Sequence, residues 1–265
     1  MSTTSKVLVA LDVPVERAEA LITQLSPHVA GFKVGFRQIT AGVAPRLLAK
    51  IKEVGGRAFY DGKLKDIPNT VADAVAELSQ FGVWMFNVHC DGGLEMMEVA
   101  NATAEKASVP SLILGVTLLT SINYAGLVQM GICPEIASGS PDTDATSQAA
   151  EIQRYVGGLA RLAQRAGLSG VVASPKETRF IRETTGEEFL IVTPAIRPTG
   201  AKADDQKRVG TARQAILDGS NYLVVGRPIY EAENPISAVL ALNAEVEQAL
   251  AEKEQLNLEK GAVAR

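Results

Sequence analysis

No stretch of this 265-residue chain approaches the roughly twenty apolar residues that a membrane-spanning helix needs. The start, "MSTTSKVLVALDVP", holds only five apolar residues in a row before Asp12, too few for the core of a secretory signal. Cysteine is equally sparse. Cys90 and Cys133 are the only two, which excludes a disulfide framework and suits a reducing compartment, so the expected setting is the cytoplasm. Histidine is limited to His28 and His89, and no HxH, HExxH or paired CxxC spacing occurs, so no metal site is expected. "VHCDGG" (88–93) reads instead as a histidine hydrogen-bonded in place at a strand end. Neither a Walker loop nor a GxGxxG turn is present, which removes the common nucleotide-loop signatures. Ser174 is followed by Pro175 with no histidine base implied, so a serine nucleophile is not expected. A net charge of −4 without any basic run argues against a nucleic-acid surface. Any anionic ligand must then be held by local groups.

What the chain does have is ample core material: 46% apolar residues beside 21% charged ones describe a globular protein rather than a disordered one. Eight short runs rich in Val, Ile, Leu and Phe recur, at 6–11, 31–36, 57–63, 85–90, 111–119, 170–174, 189–193 and 222–226. Such runs, which do not alternate cleanly with polar residues, are the mark of buried parallel strands. Amphipathic segments lie between them. Over 69–81, Val71, Ala74, Val75, Leu78 and Phe81 share one helical face and Gly82 offers the stop; over 209–219, Ala212, Ala215 and Ile216 repeat the spacing before Gly219. Strands alternating with helices over 1–265, with no linker of domain-boundary composition, predict a single-domain (β/α)₈ TIM barrel. A doubly wound sheet would want a glycine-rich first turn, and "LDVPVE" has no glycine. Residues 131–148 read as a surface excursion between the fifth strand and a main helix at about 149–166, and the charged tail from about 250 to 265 as chain prone to fray.

In a barrel of this kind chemistry sits at the carboxyl ends of the strands. In order, those ends present Asp12, Lys33, Asp61 with Lys63, His89 with Asp91, Thr120 with Ser121, Ser174 with Lys176, Arg197 and Arg227. Asp61 and Lys63 are two residues apart, so an extended chain puts them on one face, with Tyr60 and Gly62 on the other. Lys33 stands between Phe32 and Val34 and is expected to point inward, where a buried ammonium wants a carboxylate such as Asp61. Taken alone, Lys33 and Asp61 read nearly as well as an ion pair that only holds the barrel together. The company of Asp12, Lys63 and Asp66 favours a functional array, because cores rarely gather five charges. Lys65 reads as a solvated side chain. The turns "TPAIRPTG" (193–200) and "VVGRPIYEAENP" (224–235) follow the last two strands, where barrels commonly bind phosphate; Gly226 admits backbone N–H groups and Arg227 adds charge.

"LVALD", "GFKVG", "DGKLKDIPNT", "TLLTS", "TPAIRP" and "VVGRPI" resemble, in order and spacing over residues 7 to 235, the orotidine 5′-phosphate decarboxylase family. The most specific motif, D-x-K-x-x-D-I-x-x-T, is matched by Asp61, Lys63, Asp66, Ile67 and Thr70. The resemblance implies a homodimeric barrel enzyme of pyrimidine biosynthesis that uses no cofactor and no metal. Carried over residue by residue, Lys63 is the proton donor to C6 of the pyrimidine, with Lys33, Asp61 and Asp66 completing the catalytic set. Asp66 and Thr70 reach the partner subunit's site, with Ile67 on the same motif. Asp12 binds the ribose, Thr120 and Ser121 the base region, and Gln206, Gly226 and Arg227 the phosphate, with Pro194 and Arg197 alongside. Two departures stand out: Ala195 occupies a position where many relatives have glycine, and the 131–148 excursion is long.

The implied chemistry accounts for the charges. Loss of CO₂ from C6 leaves a vinylic carbanion with no ring system to delocalise it, so stabilisation must come from an ammonium placed where the charge develops. Neighbouring carboxylates keep that ammonium protonated. The competing readings are a metal-dependent sugar-phosphate decarboxylase or epimerase on the same barrel, and a non-catalytic nucleotide-binding barrel. The first would lose activity in chelator; the second has no need of a four-charge array.

Overall fold

The structure, a computed structural model, describes residues 5–133, 145–197 and 208–263. Eight parallel strands close into a barrel in sequence order: β1 (Val7–Ala10), β2 (Gly31–Val34), β3 (Ala58–Leu64), β4 (Met85–His89), β5 (Leu112–Val116), β6 (Gly170–Val172), β7 (Leu190–Thr193) and β8 (Tyr222–Val225). Val7 opposite Leu223 brings β1 beside β8 and completes the ring. Each strand falls on one of the apolar runs expected to form it, β3 running one residue past its run to Leu64. Among the described residues, eleven α-helices surround the barrel: α1 (Val15–Leu25), α2 (Phe36–Thr40), α3 (Ala44–Glu53), α4 (Pro68–Gln80), α5 (Leu94–Glu105), α6 (Tyr124–Gln129), α7 (Ala145–Arg165), α8 (Thr178–Thr185), α9 (Ala212–Leu217), α10 (Arg227–Tyr230) and α11 (Pro235–Val263).

The period of two along each strand divides the core into two layers. Leu8, Ala10, Phe59, Met85, Leu114, Val192 and Val224 form the apolar plug inside the barrel. Their sequence neighbours Val7, Val9, Phe86, Ile113, Ile191 and Leu223 pack outward against the helices. Burying each such Leu, Val or Phe contributes about 1.5–3 kcal/mol, so both layers hold the strands in register. That register is what presents the strand ends as a fixed ring.

Two local expectations are corrected. In α4, Val71, Val75 and Leu78 are buried, but Phe81 is 43% exposed, because at 100° per residue it lies about 80° round the helix from Val71. Gly82 follows with φ +63°, the left-handed stop. The main helix after β5 begins at Ala145, not near 149, and a short helix, α6, capped by the Asn123 side chain accepting from the Gly126 N–H, was not anticipated. The charged tail from about 250 continues α11 as far as Val263. The centre of the excursion, 134–144, lies outside the described residues. No described helix is long and apolar enough to cross a membrane, and both cysteines are free and buried.

Candidate active site

Lys33 lies on β2 between two residues, Phe32 and Val34, that belong to the outer apolar layer, so its side chain enters the barrel mouth. There its Nζ sits 3.1 Å from Asp61 Oδ2 and 3.4 Å from Asp12 Oδ1. Lys63 Nζ lies 2.6 Å from Asp61 Oδ1. The result is a continuous alternation, Asp12–Lys33–Asp61–Lys63, in which the central carboxylate touches both ammonium groups. Burial alone would raise the pKa of Asp61, but Lys33, Lys63 and the hydrogen bonds from Lys63 and Asn87 outweigh it and bring it down to about 2. For Lys33, burial pulls the other way from its two carboxylates, and Asp61 and Asp12 win, so its pKa lies above the ordinary lysine value. Both groups are therefore charged at neutral pH.

Asp61 and Lys63 share the pocket as expected, but not by simple strand alternation. Tyr60 pairs with Phe86 and Leu64 with Val88, so four steps along β3 face only two along β4. The surplus is taken up in a bulge in which Lys63 has φ +46°, a left-handed conformation uncommon for a side chain of this size. Asn87, inward-facing on β4 and fully buried, holds the bulge. Its Oδ1 accepts the Lys63 backbone N–H at 2.7 Å, and its Nδ2 donates to Asp61 Oδ1 at 2.7 Å. One amide thus orients both members of the pair. The outward Tyr60 ring passes close over Gly62, where a Cβ would come within 2.4 Å of it.

The other end of the array is held from α2. Buried Gln38 donates through Nε2 to the carbonyls of Leu11 and Val13, on either side of Asp12 (2.7 Å to Val13). Gly35, which caps α2, presses its backbone against the charges: a Cβ there would lie 2.8 Å from Lys33 Nζ and 3.4 Å from Asp12 Oδ1. The exposed Phe36 ring stands 5.3 Å from Lys63 Nζ, a cation–π approach from the solvent side.

The four charged groups of the array line a cavity of about 560 Å³ at the carboxyl ends of the strands, as the barrel rule requires. Of the residues expected at the site, the cavity brings together Asp12, Lys33, Asp61 and Lys63 on one side. Thr120, Ser121 and Pro194 lie on another, with Arg197, Gly226 and Arg227 at the last two strand ends. Tyr230 and Leu119 also line it and were not anticipated. Ala195 has φ +62°, the left-handed region that glycine enters more easily. Asp66, Ile67 and Thr70 are exposed and stand outside this cavity; Asp66 Oδ1 accepts the Ile67 N–H at 2.7 Å, which shapes the turn into α4. Gln206 lies outside the described residues. Lys65 is not merely solvated, since it pairs with Asp91 at 2.8 Å, and Asp91 also approaches His89 Nδ1 at 3.5 Å. Among the described residues no group of His, Cys, Asp and Glu is arranged to hold a metal ion.

Fold and site together define a (β/α)₈-barrel enzyme whose mouth carries a fixed alternation of charge facing an arginine-bearing rim. The family model described as "Orotidine 5'-phosphate decarboxylase / HUMPS family" matches residues 5–242. Curated relatives named orotidine 5′-phosphate decarboxylase include one from Moorella thermoacetica, 42% identical over 254 residues (93% of this chain, 94% of that protein), and one from Nitrosococcus oceani, 42% identical over 244 residues (91% and 97%). Among solved structures, the orotidine 5′-phosphate decarboxylase from Lactobacillus acidophilus superposes with a TM-score of 0.73 at 31% identity, covering 91% of this chain and 99% of that one. The chain belongs to the orotidine 5′-phosphate decarboxylase / HUMPS family.

Proposed function

We propose that the protein converts orotidine 5′-phosphate to UMP and CO₂, with its own side chains supplying the chemistry. The observation that carries this reading is the Asp12–Lys33–Asp61–Lys63 alternation, each contact 3.4 Å or less, in a cavity of about 560 Å³. A non-catalytic nucleotide binder has no use for two ammonium groups locked about one carboxylate at such desolvation cost. In the reaction the bond from C6 to the carboxylate breaks, the electron pair stays on C6, and CO₂ departs. The Lys63 ammonium faces the charge as it develops and transfers a proton to C6; solvent then reprotonates the amine. Because the array is assembled before substrate arrives, little reorganisation is spent at the moment of reaction. Asp61, itself held by Lys33, fixes Lys63 in place.

Asp12 is assigned to the ribose, Thr120 and Ser121 to the base region, and Gly226, Arg227 and Gln206 to the phosphate, with Pro194 and Arg197 alongside. Asp66 and Thr70 are assigned to the site of a second copy in a homodimer, with Ile67 between them. Their exposure outside the cavity of their own subunit supports this, as does the 66% exposed Ile67, an apolar side chain suited to an interface. The assigned setting is the cytoplasm. The test is turnover of orotidine 5′-phosphate by purified protein in chelator, followed by loss of the orotate absorbance and release of CO₂. Turnover that disappears in chelator and returns with a divalent metal would replace this reading with a metal-dependent sugar-phosphate chemistry.

A further inference from the structure

At the ends of β5 and β6, away from the array, the cavity wall is braced by an ion pair that neither the charged motif nor the phosphate turns include. Glu177, at the cap of α8, and Arg208, ahead of α9, are 3% and 4% exposed, and Arg208 Nη1 lies 2.8 Å from Glu177 Oε2. The contact matches opposite charges without the alignment of a hydrogen bond. The aligned bonds are made elsewhere: Arg208 Nη2 donates to the carbonyls of Leu118 and Leu119, both at 2.9 Å. Those carbonyls immediately precede Thr120 and Ser121. On the other side, the Glu177 N–H donates to Ser174 O at 3.1 Å, and Ser174 lines the same cavity. A single guanidinium therefore ties the turn after β5 to the turn after β6.

We propose that Arg208 and Glu177 are positioning residues that set the Thr120–Ser121 wall, and through it the grip on the pyrimidine end of the substrate rather than on the phosphate. The inference rests on the proposed function, which places the base at that wall. Its physical basis is the chemistry of the pair. Burying two charges is unfavourable unless the geometry they enforce is needed, and apolar side chains would brace a wall that only had to be packed. Arginine's planar fork reaches two carbonyls and a carboxylate at once; the single ammonium of lysine does not. The contacts span 90 and 31 residues along the chain (208 from 118, and 208 from 177), so the pair fixes what no local hydrogen bond does.

The test compares two ligands by calorimetric titration of the full chain: UMP, which has the base, and ribose 5-phosphate, which lacks it. Arg208→Lys and Glu177→Gln each keep a polar side chain of similar length, and thermal unfolding checks that they fold; with two variants the test survives if one does not. Each folded variant is expected to lose at least tenfold in affinity for UMP while ribose 5-phosphate stays within twofold. Equal losses for both ligands, or none for either, would overturn the proposal. A parent protein that binds ribose 5-phosphate but gains nothing from the base would instead overturn the functional reading on which it stands.

Discussion

Replacing Asp61 by asparagine removes the one carboxylate among the described residues that touches both lysines and leaves the side-chain shape almost unchanged. The loss follows from the lowering of its pKa by the two ammonium groups. A carboxyl whose pKa falls from 3.8 unfolded to about 2 folded contributes about 2 kcal/mol of stability at neutral pH. Because the folded pKa is the lower one, that contribution is complete above about pH 5, falls as pH drops through the window between the two values, and is gone below about 2. At pH 3 about 1 kcal/mol should remain. With only 10% of the side chain exposed, solvent screening takes little away. Urea unfolding of the parent and Asp61→Asn is thus expected to show a gap of about 2 kcal/mol at pH 7, narrowing to about 1 kcal/mol at pH 3. Lys33, then held charged by Asp12 alone against its burial, should lose its proton at a lower pH, and the alkaline limb of residual activity should move down. Equal stability of the two proteins at pH 7, or a gap that does not narrow on acidification, would refute the electrostatic account of the array.

Asn87→Ala removes the acceptor of the Lys63 N–H and a donor to Asp61, so kcat should fall roughly ten- to a hundredfold with KM little changed, at a stability cost of about 2–3 kcal/mol read by urea unfolding. Gly35→Ala places a methyl 2.8 Å from Lys33 Nζ; turnover should drop about a hundredfold while the unfolding temperature moves by only a few degrees, and unchanged turnover would show that the array tolerates displacement. A mixture of Asp66→Asn and Lys63→Ala subunits should recover part of the parental activity that neither has alone, since one site of the mixed dimer is then intact. No recovery after subunit exchange would place Asp66 in its own subunit's site.

How much of this was legible in the chain depends on how local the cause was. The strands were legible because buried parallel strands must be apolar on both faces, and eight such runs with helical segments between them admit few other closures. Lys33 was legible by parity, since its neighbours Phe32 and Val34 had to face the helices. Lys63 was legible as a motif member but not as geometry: its left-handed backbone belongs to a bulge created by the register of β3 against β4, and strict alternation has no term for that. Asn87 carries the same signal as Lys33, a polar residue inside the apolar run "MFNVHC". Gln38, Glu177 and Arg208 had no local signal at all, since a buried polar side chain on a short helix or turn reads like a surface one until its distant carbonyl or partner is known. Phe81 shows the opposite error, an apolar residue assigned to a face from which the helix had already turned.

The claim at the centre of the account is that the Lys63 ammonium both stabilises the charge at C6 and delivers the proton. The most direct measurement is steady-state decarboxylation of orotidine 5′-phosphate by Lys63→Ala, beside titration of the same variant with UMP. Loss of turnover by roughly a thousandfold or more, with UMP affinity kept within a few-fold, is the predicted result. Turnover within tenfold of the parent at unchanged affinity would contradict it.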